Sequence, residues 1–201
     1  KPFVEYLRGR CFTADPGYLK RLYELRYATQ GPYKGRIIFP MFHKGKLISY
    51  TGRTIYPSEE VRYKSLTVDT EAARRAGLEP ALAPINHYLL WYDWLTKMPA
   101  GGVELVLVEG PLDALKVGTL GKYAATCWMG SEPTAQQIEL LHALAPLYSK
   151  CWIISDVDMQ HKAYRIAARL QPLVFHVATL PQGVDDPAEL RTREQLLRTL
   201  R

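Results

Sequence analysis

The stretch Val103–Leu115, VELVLVEGPLDAL, decides the fold of this chain. It opens with a nearly unbroken apolar run, the pattern of a short parallel strand buried on both faces. Gly110 and Pro111 end this strand, and Asp113 then falls about one turn into the next helix, whose first turn suits proline. Because ligands bind at the carboxyl ends of parallel strands, Glu109 and Asp113 are candidate functional residues. The alternative is that Glu109 is only a loop carboxylate and that Asp113 only stabilises the helix dipole from the first turn.

The sequence after Leu115 repeats this alternation of short apolar strands and helices. Such alternation predicts an α/β fold in which helices cover both faces of a parallel sheet. The predicted strands are 103–108, 123–127, 151–155 and 173–179, and the predicted helices are 111–119, 133–145, 159–170 and 186–199.

The sequence before Val103 lacks this alternation and predicts a smaller α+β subdomain in front of the sheet. Asp15-Pro16 resembles a capped helix start, and helical spacing continues for about three turns until Gly31-Pro32. A second helix is expected from Asn86 to Lys97. Two β-rich runs around the four-residue turn His43–Lys46 predict a hairpin, and a short strand should follow within 57–68.

The charge of the chain changes between its two halves. Residues 1–102 hold 16 basic and 9 acidic side chains, residues 103–201 hold 10 and 11, and the net charge is +6. This suggests one part that binds a polyanion and one that holds cations, although a basic solvated surface would give the same count. Pro99–Gly102, the best linker candidate, lies at the change. The predicted domains are therefore 1–100, a basic nucleic-acid- or nucleotide-binding subdomain, and 101–201, a catalytic domain.

Composition excludes several classes of protein. No apolar run approaches the roughly 20 residues that a membrane span needs, and the first ten residues have no signal-peptide character, so no membrane partner is expected. The three cysteines are widely separated and have no metal-binding spacing, which argues against disulfides and zinc and for a cytoplasmic location. The chain begins at Lys1 rather than Met, which favours a segment of a longer protein.

Arginines flank the predicted hairpin. Gly35-Arg36 opens the first strand and Gly52-Arg53 closes the second, so two guanidinium groups are expected close together at the open end. The planar guanidinium suits phosphate oxygens, which favours a role in binding nucleotide or nucleic acid. Arg62, Tyr63 and Lys64 repeat the pairing of basic and aromatic side chains, a weaker indication of the same role.

More carboxylates follow the later strands. Asp156 and Asp158 come directly after the strand 151–155, and a strand period of two would point both to one side. Such a pair repels unless a cation lies between the two, and Mg²⁺ takes carboxylate oxygens together with waters and phosphates. Helix capping is the alternative role for these residues and for Asp186, which precedes a proline.

These residues together resemble the Toprim family, and more closely the catalytic core of DnaG-type primases. The Toprim signature, Glu-Gly at one strand end and DxD at another, is matched by Glu109-Gly110 and by Asp156 and Asp158. The primase motifs beyond Toprim are matched in order over nearly the whole chain by Arg8-Gly9, Gly35–Pro40, Gly52-Arg53, Arg62–Ser65, Asp113 in EGPLD, Met129–Gln137 and Asp186-Pro187. Topoisomerases and Toprim nucleases share the Toprim part alone.

The resemblance implies an enzyme that makes short RNA primers on single-stranded DNA from ribonucleoside triphosphates, by two-metal nucleotidyl transfer. It implies Mg²⁺ or Mn²⁺ held by Glu109, Asp156 and Asp158. A replicative helicase is implied as a partner through regions outside this sequence. The other implied site residues are Asp113, Asp186 and Lys64 for catalysis, Arg53, Arg62 and Lys64 for the nucleotide, and Arg8, Arg36 and Arg53 for the nucleic acid.

The sequence departs from the family pattern at three places. His161 stands where the motif after DxD has a glycine, Ala188 replaces the second acid of the late motif, and Arg62 precedes the Tyr63 of the lysine–tyrosine pair, so either Arg62 or Lys64 takes the lysine's role. Two other hypotheses follow. One is a Toprim nuclease, against which the hairpin motif argues. The other is a nucleic-acid-binding replication module without turnover, which His161 favours.

Overall fold

The computed structural model describes residues 2–98, 102–121 and 123–201. The front half has an antiparallel sheet in the order β1-β2-β3-β4, formed by β1 Arg26–Ala28, β2 Arg36–His43, β3 Lys46–Thr54 and β4 Tyr63–Ser65. Its α-helices are α1 Pro2–Gly9, α2 Pro16–Leu22, α3 Thr70–Arg75 and α4 Tyr92–Leu95. In the predicted linker, residues 99–101 lie outside the described ranges.

The second half has a parallel sheet in the order β6-β5-β7-β8, which confirms the predicted fold class. Its strands are β5 Glu104–Val108, β6 Tyr123–Cys127, β7 Lys150–Ile154 and β8 Phe175–Ala178. Its helices are α5 Pro111–Leu120, α6 Ala135–Leu144, α7 Gln160–Arg169 and α8 Arg193–Thr199, with short 3-10 turns that include Val157–Met159 and Pro187–Glu189. Among the described residues, no helix has both the length and the apolar character needed to cross a bilayer.

Strand β5 is the centre of the core, as its apolar run predicts. Val106 and Val108 face one apolar cluster, which also contains Ile37 and Phe39 of the front sheet. Leu105 and Leu107 face a second cluster, formed with α6 and α7. All four side chains of β5 are fully buried. Because the first cluster includes residues of both sheets, the front half packs directly on the parallel half.

Three predicted helices are wrong in extent. The expected helix to residue 30 ends at Leu22, because Glu24 adopts a positive φ of 53° and residues 26–28 then pair with β2 as a strand. The expected helix from Asn86 to Lys97 is only the 3-10 turn Ile85–His87 and α4. The last helix begins at Arg193 rather than residue 186.

Tertiary contacts break the segment before α4. Trp91 has a left-handed backbone with a φ of 59°, and the Leu90 amide donates to the Cys127 carbonyl at the end of β6 at 3.4 Å. Leu89 and Leu90 are both fully buried, but in different apolar clusters. The two neighbouring side chains therefore pack in different apolar clusters, and the left-handed residue Trp91 separates them from α4.

The hairpin β2–β3 and its turn His43–Lys46 are confirmed, with His43 paired to Lys46 and Lys44 and Gly45 at the centre of the turn. Lys44 and Gly45 both have positive φ, as a tight hairpin turn requires, and the Asp93 carboxylate accepts both of their amides at 2.9 and 2.7 Å. The register pairs Arg36 with Thr54 and Ile37 with Arg53. Since alternate residues face opposite sides of a strand, the two arginines lie on opposite faces, and the prediction that their guanidiniums lie together is wrong.

Arg36 is buried inside the front half. Its guanidinium donates to the carbonyls of Gly52, Val61 and Arg62 at 3.0, 3.0 and 3.3 Å, and it also forms an ion pair with Glu59. These bonds tie the loop after β3 to the sheet. The buried position leaves Arg36 unsuited to the nucleic-acid contact that was predicted for it.

We expect Arg36→Leu to lower the free energy of unfolding by about 2 kcal/mol, because buried carbonyls lose their donors. Urea unfolding followed by fluorescence would measure the loss. The matched control is Arg74→Leu, since Arg74 is exposed and pairs only with Glu71 one turn away, and this change should stay within about 0.5 kcal/mol of wild type. Equal stabilities for the two variants would contradict the structural role of Arg36.

Candidate active site

Glu109 follows the last residue of β5 at the carboxyl edge of the parallel sheet. Its carbonyl accepts the Met129 amide at 3.0 Å, so the turn after the neighbouring strand β6 holds its backbone. Burial raises the pKa of its carboxyl group, the charge of Lys162 opposes this rise, and that of Asp158 adds to it. Glu109 is therefore a half-buried acid near other charged groups.

Asp156 follows β7, which is the strand next to β5, so the tips of two adjacent strands carry acids as predicted. The next amide, of Val157, donates to the Asp185 carbonyl at 3.1 Å and joins this tip to the segment before Pro187. Burial raises the pKa of Asp156 to about 6, with further contributions from the carboxylates of Asp186 and Glu109. The position is costly for a negative charge without a cation.

Asp113 and Asp186 form a carboxyl pair behind these strand tips. Asp113 lies in the first turn of α5, where it accepts the Gly110 amide at 3.0 Å. Asp186 accepts the Ala188 amide at 2.5 Å, so it caps the 3-10 turn Pro187–Glu189, as its Asp-Pro sequence indicated. Burial, followed by the charge of Asp186 and a hydrogen bond to it, raises the pKa of Asp113 well above its usual range. Asp113 therefore keeps its proton at pH values where an ordinary aspartate has lost it.

The four acids line one small pocket of about 150 Å³. Further lining side chains come from the front half of the chain. They include Arg53 from β3, Tyr63 from β4 and Arg10 from the turn after α1. The pocket therefore lies where the two halves meet, and it is lined by carboxylates from one half and guanidinium groups from the other.

Arg53 and Tyr63 reach the pocket as paired residues of neighbouring strands. The Arg53 guanidinium carbon lies 4.9 Å from the Tyr63 ring centroid, and the Tyr63 hydroxyl accepts the Leu112 amide of α5 at 3.4 Å. The Nε atoms of Arg53 and Arg10 are buried and have no hydrogen-bond partner among the described residues. Unsatisfied buried donors are costly, which makes them good candidates for binding an anion.

Two pocket residues were missing from the predicted site. Tyr63 was noted only as the neighbour of two basic residues, although the pairing of its strand with β3 would have placed it beside Arg53. Arg10 pairs with Asp186 at 3.9 Å and had no sequence signal beyond its place two residues after Arg8. Tyr63 lies 50 residues before Asp113 and Arg10 lies 176 residues before Asp186, so spacing along the chain could not reveal them.

Several predicted site residues lie away from the pocket. Arg62 and Lys64 flank Tyr63 on β4 and are exposed on its other face, where the Lys64 ammonium donates to the Pro32 carbonyl at 3.1 Å. Arg8 is exposed beside a separate cavity. Asp158 is exposed in the 3-10 turn after Asp156, so its side chain does not share the burial of the other acids.

The remaining family motif, Met129–Gln137, has a local explanation. Thr134 and Gln137 form a capping box at the start of α6, and the buried Gln137 amide also donates to the carbonyls of Tyr88 and Trp128, both at 2.7 Å. This motif fixes the turn whose Met129 holds Glu109. His161 is exposed in the first turn of α7 and is not among the residues that line the pocket. In this structure it does not narrow the acidic pocket.

The acids suit a hard divalent cation by chemistry but do not form a ready metal cluster. No group of three metal-binding side chains, within the part of the chain that the structure describes, lies close enough to hold an ion. Mg²⁺ needs only one or two carboxylates when waters and substrate phosphates supply the rest. Burial, and after it repulsion from neighbouring carboxylates, raises the pKa values of Glu109 and Asp156, and such a cation would relieve that repulsion.

Comparison with known proteins gives one consistent answer. No family model matches the chain. A DNA primase of Deinococcus radiodurans is 28% identical over 71% of this chain and 29% of its own length. The crystal structure of the Aquifex aeolicus primase, comprising zinc-binding and RNA polymerase domains, superposes with a TM-score of 0.68 and 20% identity over 98% of this chain and 54% of that one. The structure of a DnaG primase catalytic domain bound to single-stranded DNA superposes with a TM-score of 0.66 and 19% identity. The match covers 100% of this chain and 71% of that one.

These relatives are longer than the chain, which spans less than a third of the curated relative and about half of the Aquifex structure. The sequence match and the superpositions agree with the motifs quoted above, which run in the same order through both halves of the chain. The chain therefore has the fold of a DnaG-type primase catalytic core.

Proposed function

We propose that this chain is the catalytic core of a DNA primase, which joins ribonucleotides into short RNA primers on a single-stranded DNA template. The observation that carries this proposal is the pocket where the two halves meet, which is lined by Glu109, Asp113, Asp156 and Asp186 and by Arg10 and Arg53. Nucleotidyl transfer is catalysed mainly by positioning and by neutralising charge, and this arrangement supplies groups for both.

The acids would hold Mg²⁺ or Mn²⁺. Glu109 and Asp156 are the ligands that the pocket favours, and the exposed Asp158 would join them from the following turn. Asp113 and Asp186, already paired with each other, would support these ligands from behind. Divalent cations bound here would neutralise phosphate charge and lower the pKa of the attacking 3′-hydroxyl group.

The arginines would bind the phosphates of the incoming nucleotide. Arg53 and Arg10 each carry a buried Nε that has no partner in the part of the chain that the structure describes, and phosphate oxygens would satisfy both donors. Tyr63 would keep Arg53 in place through the contact between ring and guanidinium. Arg62, Lys64 and Arg8 lie on exposed surface of the front half, where they would extend a basic track for the template backbone.

This division of labour follows the predicted domains, with 1–100 binding nucleotide and nucleic acid and 101–201 supplying the acids. It also accounts for the basic net charge of the first half and the nearly neutral charge of the second. One structural relative is bound to single-stranded DNA, which supports the same ligand for this chain.

The test is a synthesis assay with labelled single-stranded DNA, ribonucleoside triphosphates and Mg²⁺ or Mn²⁺. We expect short RNA products that require template, nucleotides and metal together. Shortened DNA without nucleotides would instead support the nuclease hypothesis. Salt-sensitive DNA binding with no product in either arm would support a binding module without turnover.

We expect Arg53→Ala to raise the KM for nucleotide about tenfold or more, because a charge-assisted contact to phosphate is lost. Steady-state primer synthesis at varied nucleotide concentration would measure it. Arg26→Ala is the matched control, since Arg26 lies on the same sheet and binds only the nearby carbonyls of Glu24 and Leu25. An unchanged KM in Arg53→Ala would remove Arg53 from the nucleotide site.

A further inference from the structure

A lysine is buried inside the catalytic half. Lys116 lies on α5, one turn after Asp113, and its side chain is fully buried. Its ammonium donates to the Arg10 carbonyl at 2.5 Å and lies 4.0 Å from the ring centroid of Phe12. A buried ammonium is costly unless it is bound to other groups, and an apolar residue would suit this helix face better. The cost calls for a compensating role.

Lys116 binds the turn that follows α1. In this turn the Cys11 amide donates to the Arg8 carbonyl at 2.8 Å, and the Phe12 amide donates to the Leu7 carbonyl at 2.9 Å. Cys11 has a positive φ of 58°, an uncommon conformation for a residue with a side chain. The Arg10 carbonyl is thereby turned inward onto the Lys116 ammonium. The lysine and the ring of Phe12 together fix the turn to α5.

The turn places the Arg10 guanidinium at the acidic pocket. Arg10 lies 3.9 Å from the Asp186 carboxylate and lines both this pocket and a neighbouring polar cavity of about 450 Å³. Its Nε is buried and has no hydrogen-bond partner within the described ranges of the chain. Helix α5 therefore carries Asp113 toward the pocket and, one turn later, the lysine that holds the arginine opposite.

We propose that Lys116 is a positioning residue for the reaction, which fixes the Arg8–Phe12 turn so that the Arg10 guanidinium meets a phosphate at the wall between the acidic pocket and the polar cavity. The consequence for catalysis rests on the proposed function, while the fixing of the turn does not. Burial lowers the pKa of Lys116 to about 8, and the charges of Cys11 and Asp186 oppose the fall while that of Arg10 adds to it. The ammonium is therefore mostly charged at pH 7.

The experiment compares Lys116→Met with Lys150→Met. Lys150 is a matched control because it also lies on an aromatic ring, 3.8 Å from the Trp152 centroid, but at the start of β7, away from the acids at its end. Amide hydrogen exchange of residues 8–12 reports on the turn. We expect faster exchange there in Lys116→Met and no change in Lys150→Met. Unchanged exchange in Lys116→Met would overturn the proposal.

The catalytic consequence is tested by a double-mutant cycle with Arg10→Ala. We expect Lys116→Met to slow primer synthesis about tenfold in the wild-type background and to have no further effect in Arg10→Ala. Both changes remove the proposed contact between the Arg10 guanidinium and phosphate. An equal loss in both backgrounds would show that Lys116 does not act through Arg10. If the wild type makes no primers, the proposed function fails, and the exchange measurement still decides whether Lys116 fixes the turn.

A second variant, Phe12→Leu, tests the same proposal if Lys116→Met does not fold. Phe12→Leu keeps the ammonium and an apolar side chain in the core cluster but removes the aromatic ring beside the ammonium, so it should speed exchange in residues 8–12 to a smaller degree. If Lys116→Met does not fold, this variant decides the proposal, since exchange at the wild-type rate would contradict the role of Lys116 and Phe12 in fixing the turn.

Discussion

Asp156→Asn should reduce primer synthesis by about a thousandfold, because a metal-binding acid contributes several kcal/mol to stabilising the transition state. Asparagine preserves the size of the side chain but cannot supply a negative oxygen. DNA binding should stay within about twofold of wild type, since the arginines and lysines of the front half are untouched. Gel-based primer synthesis and fluorescence anisotropy with labelled single-stranded DNA would measure the two quantities.

The control for Asp156→Asn is Asp185→Asn. Asp185 is exposed, and only its carbonyl is bound to the Asp156 segment, so removing its charge should leave synthesis unchanged. If Asp156→Asn retains activity, Asp156 is not a metal ligand. If both variants lose activity equally, the loss reflects charge in the whole region rather than a ligand at Asp156.

Asp113→Asn should stabilise the metal-free protein at pH 8 and reduce primer synthesis about a hundredfold. The raised pKa of Asp113 means that the folded protein keeps a proton which the unfolded chain has released. The stability of the wild type therefore falls as pH rises from the ordinary aspartate range toward the raised pKa. Asparagine has no proton to lose, and its amide can donate to Asp186 at every pH. The stability of the variant should thus depend less on pH.

Urea unfolding in a chelator at pH 5 and pH 8 would measure this difference, for which we expect a gain on the order of 1 kcal/mol at pH 8. Asp69→Asn is the matched control. Asp69 accepts the Ala72 amide at 3.0 Å at the exposed start of α3, and asparagine caps a helix equally well, so neither stability nor synthesis should change. A wild-type stability that does not fall between pH 5 and pH 8 would contradict the raised pKa of Asp113.

Both predictions concern acids that lower the stability of the protein and that the proposed function requires. The acids repel one another at the strand tips, and burial makes the repulsion costly. A protein selected only for stability would hold amides or apolar residues there. Retention of the acids is therefore consistent with a function that requires a cation at this position.

The sequence by itself determined the parallel half of this protein. A strand buried on both faces must be apolar at every position, so the run before Glu109 identified β5 and, with it, the edge where Glu109 and Asp156 meet. Local chemistry also indicated the hairpin and the Asp-Pro caps. In each of these cases the responsible contacts lie within a few residues of one another.

Only the tertiary structure decided which residues of the front half face the acids. Strand register turned Arg53 and Tyr63 toward the pocket and Arg36 and Lys64 away from it, and a shift of one residue would have reversed this choice. The contacts of Trp91 and Leu90 with distant parts of the core broke the helix that local spacing predicted from Asn86 to Lys97. Arg10 reached Asp186 through a buried lysine more than one hundred residues away in the chain. Such choices depend on pairing and packing between distant segments, which residue spacing does not encode.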